Sequence, residues 1–371
     1  MSGAPILEVS DLKKHFQVRR GFWRRAVAEV KAVDGVSFAL AAGETLCLVG
    51  ESGCGKSTVG RLILRLIDAT SGTIRFKGEN ITTLSREAMR HKRQALQIVF
   101  QDPYASLNPR LTAGTIVGEP VENFDALGRA QREARVKGLL ARVGLGADAF
   151  HKYPFEFSGG QRQRLGIARA LALSPALIVA DEPVSALDVS VQAQVLNLMM
   201  DLKDELGLAY LFISHDLGVV EHMADRVAVM YLGRIVEIAA KEDLFSSPRH
   251  PYTRALISAA PLPDPSAKRE RIVLEGDVPS PMTPPTGCHF HTRCPFAVER
   301  CRVERPALAS DGAGHATACH RWTELPAADV AAAQPHASPA LDRLVAAFGQ
   351  ADGQGEGGVV TVEGTGAPAL R

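Results

Sequence analysis

The stretch GESGCGKST, residues 50–58, has the residue types and spacing that hold phosphate. Four residues separate Gly50 from Gly55, and Lys56 and Ser57 follow directly. Glycines let backbone N–H groups turn inward around a β-phosphate, the lysine reaches the β- and γ-phosphates, and the serine hydroxyl is placed for Mg²⁺. The apolar run ETLCLV precedes this stretch, which therefore lies between a predicted strand and the N-terminus of a predicted helix. The pattern predicts a nucleotide site.

Three further motifs end apolar runs with polar side chains. In ALIVADEP, Asp181 would hold Mg²⁺ through its water shell and Glu182 would polarise an attacking water. In LAYLFISHD, His215 is placed to contact a γ-phosphate, and Gln101 after ALQIVF could reach Mg²⁺ or the lytic water. Each has an ordinary structural interpretation, such as a polar strand end. Their combination with the glycine-rich stretch favours a site that hydrolyses a nucleotide.

These motifs need strands to position them. Continuous apolar runs such as ETLCLVG, ALQIVFQ, ALIVAD and LAYLFISHD are typical of strands buried on both faces of a parallel sheet. A charged stretch with helical periodicity, about residues 104–170, predicts a helical subdomain inserted between two core strands. We therefore predict an α/β fold over residues 1–260, with a parallel-sheet core and a helical subdomain.

Composition limits the function classes. The chain has 371 residues, of which 46% are hydrophobic and 22% charged, with a formal net charge of +1. This balance lacks the strongly basic face that nucleic-acid binding requires, so we expect no nucleic-acid partner. No apolar run reaches the ~18 residues that span a bilayer, and the N-terminus lacks the build of a signal peptide. We expect a soluble, cytoplasmic chain, for which any membrane role must come through partners.

The C-terminal part differs in composition from the rest. Residues 261–285 contain seven prolines, which exclude regular helix or a central strand and predict an extended connector. The connector and a cysteine module together occupy residues 261–325. We expect the module to have little to fold around without a metal. Residues 326–371 are rich in Ala, Gly and Pro and predict a disordered tail.

Four cysteines in this module predict a metal site, because disulfides are rare in cytoplasmic proteins. They are Cys288, Cys294, Cys301 and Cys319. Their spacing, C-x5-C-x6-C-x17-C, lacks the short CxxC knuckles of zinc folds and suits a [4Fe-4S] cluster held by four thiolates. Zinc bound with the help of nearby histidines, or reduced thiols without metal, are the alternatives.

The stretch FSGGQRQRLGIARALA, residues 157–172, places glycines at the start of a second predicted helix, which makes a second anion site. It resembles the signature of the ATP-binding cassette (ABC) ATPases, although Phe157 stands where that signature begins with leucine. In that family two subunits face head to tail, and each ATP lies between one phosphate loop and the opposite signature. The resemblance covers residues 6 to about 250, with every family motif in order.

This resemblance implies a role for each matching residue. The ATP-binding Walker A motif matches Gly50, Glu51, Ser52, Gly53, Cys54, Gly55, Lys56, Ser57 and Thr58. The Q-loop matches Gln101, which with Ser57 would bind Mg²⁺, and the Walker B pair matches Asp181 and Glu182. The signature matches Ser158, Gly159, Gly160 and Gln161. The catalytic residues would be Glu182 and the switch histidine His215, and Phe16 in LKKHF would stack on adenine.

Three segments resemble one branch, the ATP-binding subunits of dipeptide and oligopeptide importers: VFQDPYASLNPR, HPYTRAL and GCHFHTRCPFA. This resemblance implies the ATP-hydrolysing motor of a peptide importer, attached peripherally to the cytoplasmic face of the membrane. The implied partners are a second, different ATPase subunit, two permease subunits and, through them, an extracytoplasmic peptide-binding protein. Some members of this branch have the same cysteine pattern and a [4Fe-4S] cluster, which supports the cluster prediction.

Two other classes of ABC protein are the alternatives. Soluble ABC ATPases without a transporter usually carry two cassettes or a long coiled-coil insertion, and exporter cassettes are often fused to membrane helices. This sequence shows none of these patterns. The insert RRGFWRR, residues 19–25, has the composition to lie against anionic lipid, but a solvated loop is the favoured interpretation.

Overall fold

The computed structural model describes residues 4–20, 25–125, 127–260 and 272–326. The centre of the insert RRGFWRR, the first half of the proline-rich connector and nearly all of the predicted tail lie outside these residues. The predicted boundaries near residues 260 and 325 stay predictions. Within the described ranges, no helix is long and apolar enough to cross a bilayer.

Twelve strands form in the described residues. They are β1 (Leu7–Arg20), β2 (Arg25–Leu40), β3 (Thr45–Val49), β4 (Ser71–Phe76), β5 (Glu79–Asn80), β6 (Leu96–Val99), β7 (Leu177–Asp181), β8 (Ala209–Ile213), β9 (Arg226–Tyr231), β10 (Arg234–Ala240), β11 (Ala309–Ser310) and β12 (Ala316–Thr317).

Helices connect most of these strands. They are α1 (Lys56–Ile63), α2 (Arg86–Lys92), α3 (Pro103–Ser106), α4 (Ala113–Phe124), α5 (Arg129–Arg142), α6 (Gly159–Leu171), α7 (Val189–Leu206), α8 (Leu217–Met223), α9 (Lys241–Ser246), α10 (Pro251–Ala259) and α11 (Glu299–Val303). Two short 3₁₀ helices, Ala147–His151 and Pro154–Glu156, precede α6.

An eight-stranded sheet carries the predicted motifs, in the order β11-β12-β10-β9-β3-β8-β7-β6. The pairs from β9 through β3, β8 and β7 to β6 are parallel. Every residue of β3, β7 and β8 is buried, as expected for apolar strands covered on both faces. The predicted parallel core is therefore confirmed. The carboxyl ends of β3, β6, β7 and β8 meet at one edge, where their loops carry the polar motifs.

The two faces of β3 show how the layers are built. Leu46 and Leu48 point into one apolar cluster that includes Val59 and Ile63 of α1. Cys47 and Val49 alternate with them and belong to a second cluster with residues of α4, α6 and α7. Successive side chains of a strand point to opposite faces, so this buried five-residue strand supplies both layers of the core.

A second, four-stranded antiparallel sheet, ordered β2-β1-β4-β5, was not predicted from the sequence. Strands β1 and β2 pair along their whole length, from Leu7 opposite Leu40 to Arg20 opposite Arg25. Register shifts interrupt the pairing at four places. The shifts break the period-two alternation of apolar residues, which hides so long a hairpin from pattern analysis.

The predicted C-terminal cysteine-rich extension is not supported, because residues 272–326 attach to the core sheet. Strand β12 pairs with β10, with Glu237 opposite Thr317. The imidazole Nε2 of His315 lies 2.7 Å from Oε1 of Glu237, and both side chains are almost completely buried. Phe290 is also buried, with its ring centroid 5.2 Å from that of Tyr231. Contrary to expectation, this segment folds around apolar and polar contacts with the core.

Candidate active site

The phosphate loop between β3 and α1 turns through left-handed backbone conformations. The φ angles of Gly50, Gly53 and Gly55 are 148°, 80° and 107°, a region that favours glycine. A Cβ at Gly50 would collide with the carbonyl oxygen of Met230, and one at Gly55 would collide with that of Ala32. The loop is therefore seated directly on the backbone of neighbouring segments, which is possible only for glycine at these two positions.

Lys56 lies at the centre of this loop and is 4% exposed. Its ammonium donates hydrogen bonds to the carbonyl oxygens of Gly50, at 2.8 Å, and Glu51, at 3.1 Å. The N-cap of α1 is Gly55, which has no side chain to cap the first turn. The loop thus brings a buried cation together with uncapped helix amides, the combination that binds phosphate.

Ser57 and Asp181 form the candidate magnesium site. The Ser57 hydroxyl donates to Oδ1 of Asp181 at 2.6 Å across the gap between α1 and β7. Burial raises the pKa of the Asp181 carboxyl, which is 6% exposed. Hydroxyl and carboxylate oxygens are the ligands that Mg²⁺ prefers, so these residues fit the ion. When bound, Mg²⁺ would neutralise phosphate charge.

Glu182 makes contacts to the ends of two neighbouring strands. Its Oε2 accepts a hydrogen bond from Nε2 of Gln101 at 2.8 Å, and its Oε1 lies 3.3 Å from Nδ1 of His215. Its backbone has φ 48°, and its N–H donates to the carbonyl of Ile213 at 3.0 Å. A non-glycine residue in the left-handed region is uncommon and clusters at functional sites. The turn aims the carboxylate away from β7 into the open cleft.

One cleft of about 940 Å³ unites these groups, a volume within the range of about 300–1,000 Å³ that holds small molecules. Gln101, Glu182 and His215 line it together with the phosphate loop. Cys54 is the loop residue that does not line it: its thiol is buried and its pKa is raised by burial.

Sequence reasoning missed the apolar part of this lining. It consists of Ala32, Val49, Leu217, Leu256, Ala259 and Ala260. Three of these six residues come from α10 and the position after it. The segment HPYTRAL begins α10 and was noticed only as a family resemblance, because small apolar residues give no chemical signal in sequence.

The signature residues lie outside the cleft. Ser158 is the N-cap of α6, and its hydroxyl accepts a hydrogen bond from the N–H of Gln161 at 3.3 Å. The Gln161 side chain accepts in return from the N–H of Ser158 at 3.0 Å. Ser158, Gly159 and Gln161 are exposed, whereas Gly160 is buried against Val191. The structure therefore presents a second helix N-terminus to solvent, separate from the phosphate loop.

Phe16 is not brought to the cleft. It lies on β1, 41% exposed, and the ammonium of Lys14 lies 5.0 Å from its ring centroid. The aromatic face is therefore covered by a cation within the same strand. Its predicted stacking on adenine stays a prediction.

The four cysteines of the C-terminal segment line one small pocket, together with Phe290 and Phe296. Burial raises the pKa of Cys288 to about 11 and that of Cys294 to about 12, which favours neutral thiols. Among the residues that the structure describes, no group of three or more Cys, His, Asp or Glu side chains is arranged to hold a metal ion. The predicted iron–sulfur cluster and its zinc alternative are therefore not supported.

The fold and the cleft define a P-loop ATPase. A family model described as ABC transporter matches residues 33–185. A second model, described as the C-terminal region of oligopeptide/dipeptide transporters, matches residues 236–301.

Curated relatives agree with both matches. A probable peptide ABC transporter ATP-binding protein of Sinorhizobium fredii is 59% identical over 85% of this chain and 89% of its own length. The oligopeptide transport ATP-binding protein AppF of Bacillus subtilis is 56% identical over 86% of this chain and 98% of its own. The dipeptide transport ATP-binding protein DppF of Haemophilus influenzae is 53% identical over 85% and 96%.

Solved structures give the same fold. The dimeric post-hydrolysis structure of the ATP-binding cassette MJ0796 with ADP and Pi has a TM-score of 0.57 and 26% identity. It covers 63% of this chain and 98% of that one. This chain belongs to the ATP-binding subunits of the oligopeptide/dipeptide ABC transporters.

Replacing the buried lysine tests the phosphate loop. We expect Lys56→Ala to weaken ATP binding roughly 10- to 100-fold, because charge-assisted hydrogen bonds contribute about 1.5–3 kcal/mol. Titration of the full-length chain with a fluorescent ATP analogue measures the dissociation constant. Lys137→Ala removes an equally charged but exposed side chain of α5 and should leave binding unchanged. Equal affinity of the two variants would contradict the assignment.

Proposed function

We propose that this ATPase cleaves ATP in the cleft beside the phosphate loop and that a partner subunit completes the site. The observation that carries the proposal is the convergence of Lys56, Ser57, Gln101, Glu182 and His215 on one cleft. In the proposed reaction a water attacks the γ-phosphorus of ATP, and the products are ADP and phosphate.

Each residue has a proposed task in this reaction. The loop amides and Lys56 bind the β- and γ-phosphates; Ser57 and Gln101 would bind Mg²⁺, and Asp181 would hold it through its water shell. Glu182 accepts the proton of the attacking water, which its position in the lining of the cleft supports. Gln101 orients this carboxylate, since its amide already donates to it at 2.8 Å. His215 contacts the other carboxylate oxygen of Glu182, Oε1, and would also contact the γ-phosphate.

The signature would act on the nucleotide of the partner subunit. Ser158 and Gln161 cap α6 outside the cleft of their own chain, so they are free to face a second molecule. The dimeric cassette MJ0796, bound to ADP and Pi, provides a precedent for such an assembly. We propose a head-to-tail dimer with a related but different ATPase chain.

The work done by this ATPase would be the import of short peptides. The relatives named above are called peptide, oligopeptide and dipeptide transport ATP-binding proteins. By analogy, the chain would bind two permease subunits at the cytoplasmic face of the membrane, and through them serve an extracytoplasmic peptide-binding protein. None of the relatives named above, and no feature of the residues that the structure describes, favours the soluble alternative.

Glu182→Gln separates chemistry from binding. We expect the substitution to lower ATP turnover of the assembled transporter about 10²–10⁴-fold, because it removes the proton acceptor. ATP binding should persist, since the amide keeps the shape of the side chain. Steady-state phosphate release provides the measurement. Glu205→Gln, which changes an exposed glutamate of α7, is the control. Turnover near that of the unmodified protein would exclude Glu182 as the base.

Ser158→Arg tests whether the signature acts in trans. We expect the variant chain to bind ATP normally when isolated, while hydrolysis at the site that it completes in the dimer falls at least about 100-fold. Ser85→Arg is the matched control, because Ser85 is also an exposed N-cap serine, on α2. Full hydrolysis by isolated monomers, unaffected by Ser158→Arg, would refute the shared site.

We also propose, as a separate matter, that the four cysteines bind a [4Fe-4S] cluster after rearrangement of their thiols. The proposal rests on the cysteine spacing and on the pocket that all four cysteines line; as they stand in the described residues the thiols are not arranged to hold a metal ion, and zinc is the alternative. Protein purified without oxygen should contain about four irons per chain, with visible absorbance that dithionite bleaches. Cys294→Ser should lose the iron, whereas Cys47→Ala in β3 should keep it. Stoichiometric zinc, or no metal at all, would overturn the cluster.

A further inference from the structure

The guanidinium of Arg293 forms a two-pronged ion pair with the carboxylate of Glu51 in the phosphate loop. Its Nη1 lies 2.9 Å from Oε2 and 3.2 Å from Oε1, and its Nη2 lies 3.2 Å from Oε1. The two residues are 242 positions apart in the chain. A segment near the C-terminus therefore reaches back and touches the motif that binds phosphate.

The surroundings of this pair make it stronger than an ordinary surface contact. The Arg293 side chain is 8% exposed and that of Glu51 27%. Bidentate pairs between arginine and carboxylate fix orientation as well as distance, because the planar guanidinium matches both oxygens. Surface pairs, by contrast, contribute little. The geometry thus fixes where the Glu51 side chain lies.

A second contact holds the same residue by its backbone. The N–H of Glu51 donates to the hydroxyl of Tyr252 at 2.9 Å. Tyr252 is fully buried, and its ring centroid lies 4.7 Å from that of Tyr231 and 5.4 Å from that of Phe290. Glu51 is therefore held at its amide by α10 and at its carboxylate by the segment that begins at residue 272.

We infer that Arg293 is a positioning residue for the phosphate loop, acting on bound nucleotide through Glu51. The inference rests on the proposed function in taking the loop as the ATP site. Glu51 lies between Gly50 and Gly53, which both adopt left-handed backbone conformations. Because glycine restricts the backbone little, its own residues do not fix the shape of this first half of the loop. Arg293 and Tyr252 restrict this half to the conformation in which Lys56 reaches its carbonyls. Nucleotide then binds a loop that is already shaped.

Breaking the ion pair between Arg293 and Glu51 should lower the affinity for nucleotide. We expect Arg293→Ala to raise the dissociation constant of a fluorescent ATP analogue on the order of 3- to 10-fold, the size of coupling between contacting groups. Arg293→Lys should restore part of the loss, since lysine keeps the charge but not the fork. Glu51→Gln approaches the same pair from the loop and should give a similar loss without altering the C-terminal segment.

A double-mutant cycle separates positioning from general destabilisation. Once Glu51→Gln is present, Arg293→Ala should weaken binding little further, because the pair is already broken. Hydrogen exchange of the amides of residues 50–55 should also be faster in Arg293→Ala. Arg300→Ala, which breaks the exposed pair of Arg300 with Glu304 in the same segment, is the matched control and should change neither readout.

These experiments distinguish a wrong role for Arg293 from a wrong assignment of the nucleotide site. Equal affinities for Arg293→Ala and Arg300→Ala, or fully additive losses in the cycle, would overturn the positioning role while Lys56→Ala still weakens binding. If Lys56→Ala leaves affinity unchanged as well, the loop is not the nucleotide site, and the proposed function fails with it.

Discussion

The close approach of the phosphate loop to the backbone of its neighbours is the constraint on which the site depends. Gly50 lies against the carbonyl of Met230 in β9, and Gly55 against that of Ala32 in β2, with no room for a Cβ at either place. Two strands from different sheets thereby form the floor of the loop. The loop keeps its shape only if both sheets are in place, which explains why a short anion-binding motif needs a large domain around it.

The parallel strands supply the chemistry that the loop lacks. Glu182 follows directly after β7, His215 lies two residues beyond the end of β8, and the two side chains meet beside the loop. Gln101 arrives from the end of β6 and closes the same group. Because these strands are apolar and covered on both faces, the polar side chains can only appear where the strands stop. The active groups thus gather at the carboxyl edge of the sheet.

The sequence predicts the features that follow from a local pattern and misses those that depend on pairing between distant segments. Residues 50–58 and 181–182 stand next to apolar runs, so local pattern alone places each of them at the end of a strand. The pairing of β1 with β2 is obscured by register shifts, and β11 and β12 are two residues long, too short for any periodicity. The contact between Glu51 and Arg293 joins distant positions and leaves no local signal. The periodicity of a sequence reports local structure and cannot predict which distant segments pair.

The C-terminal segment illustrates the consequence for energetics. Small metal-binding modules fold on metal because they bury too little without it. Here Glu237 is fully buried, accepts hydrogen bonds from the N–H groups of Arg249 and His250, and pairs with His315. Burial raises the pKa of Glu237, but the hydrogen-bond donors around it, including His315 and the N–H groups of Arg249 and His250, together outweigh burial and lower the pKa. The segment is therefore anchored through His315 to the buried carboxylate of Glu237, which also accepts hydrogen bonds from the core. Any ligand of the cysteines would bind a segment whose attachment to the sheet and to Glu51 does not depend on it.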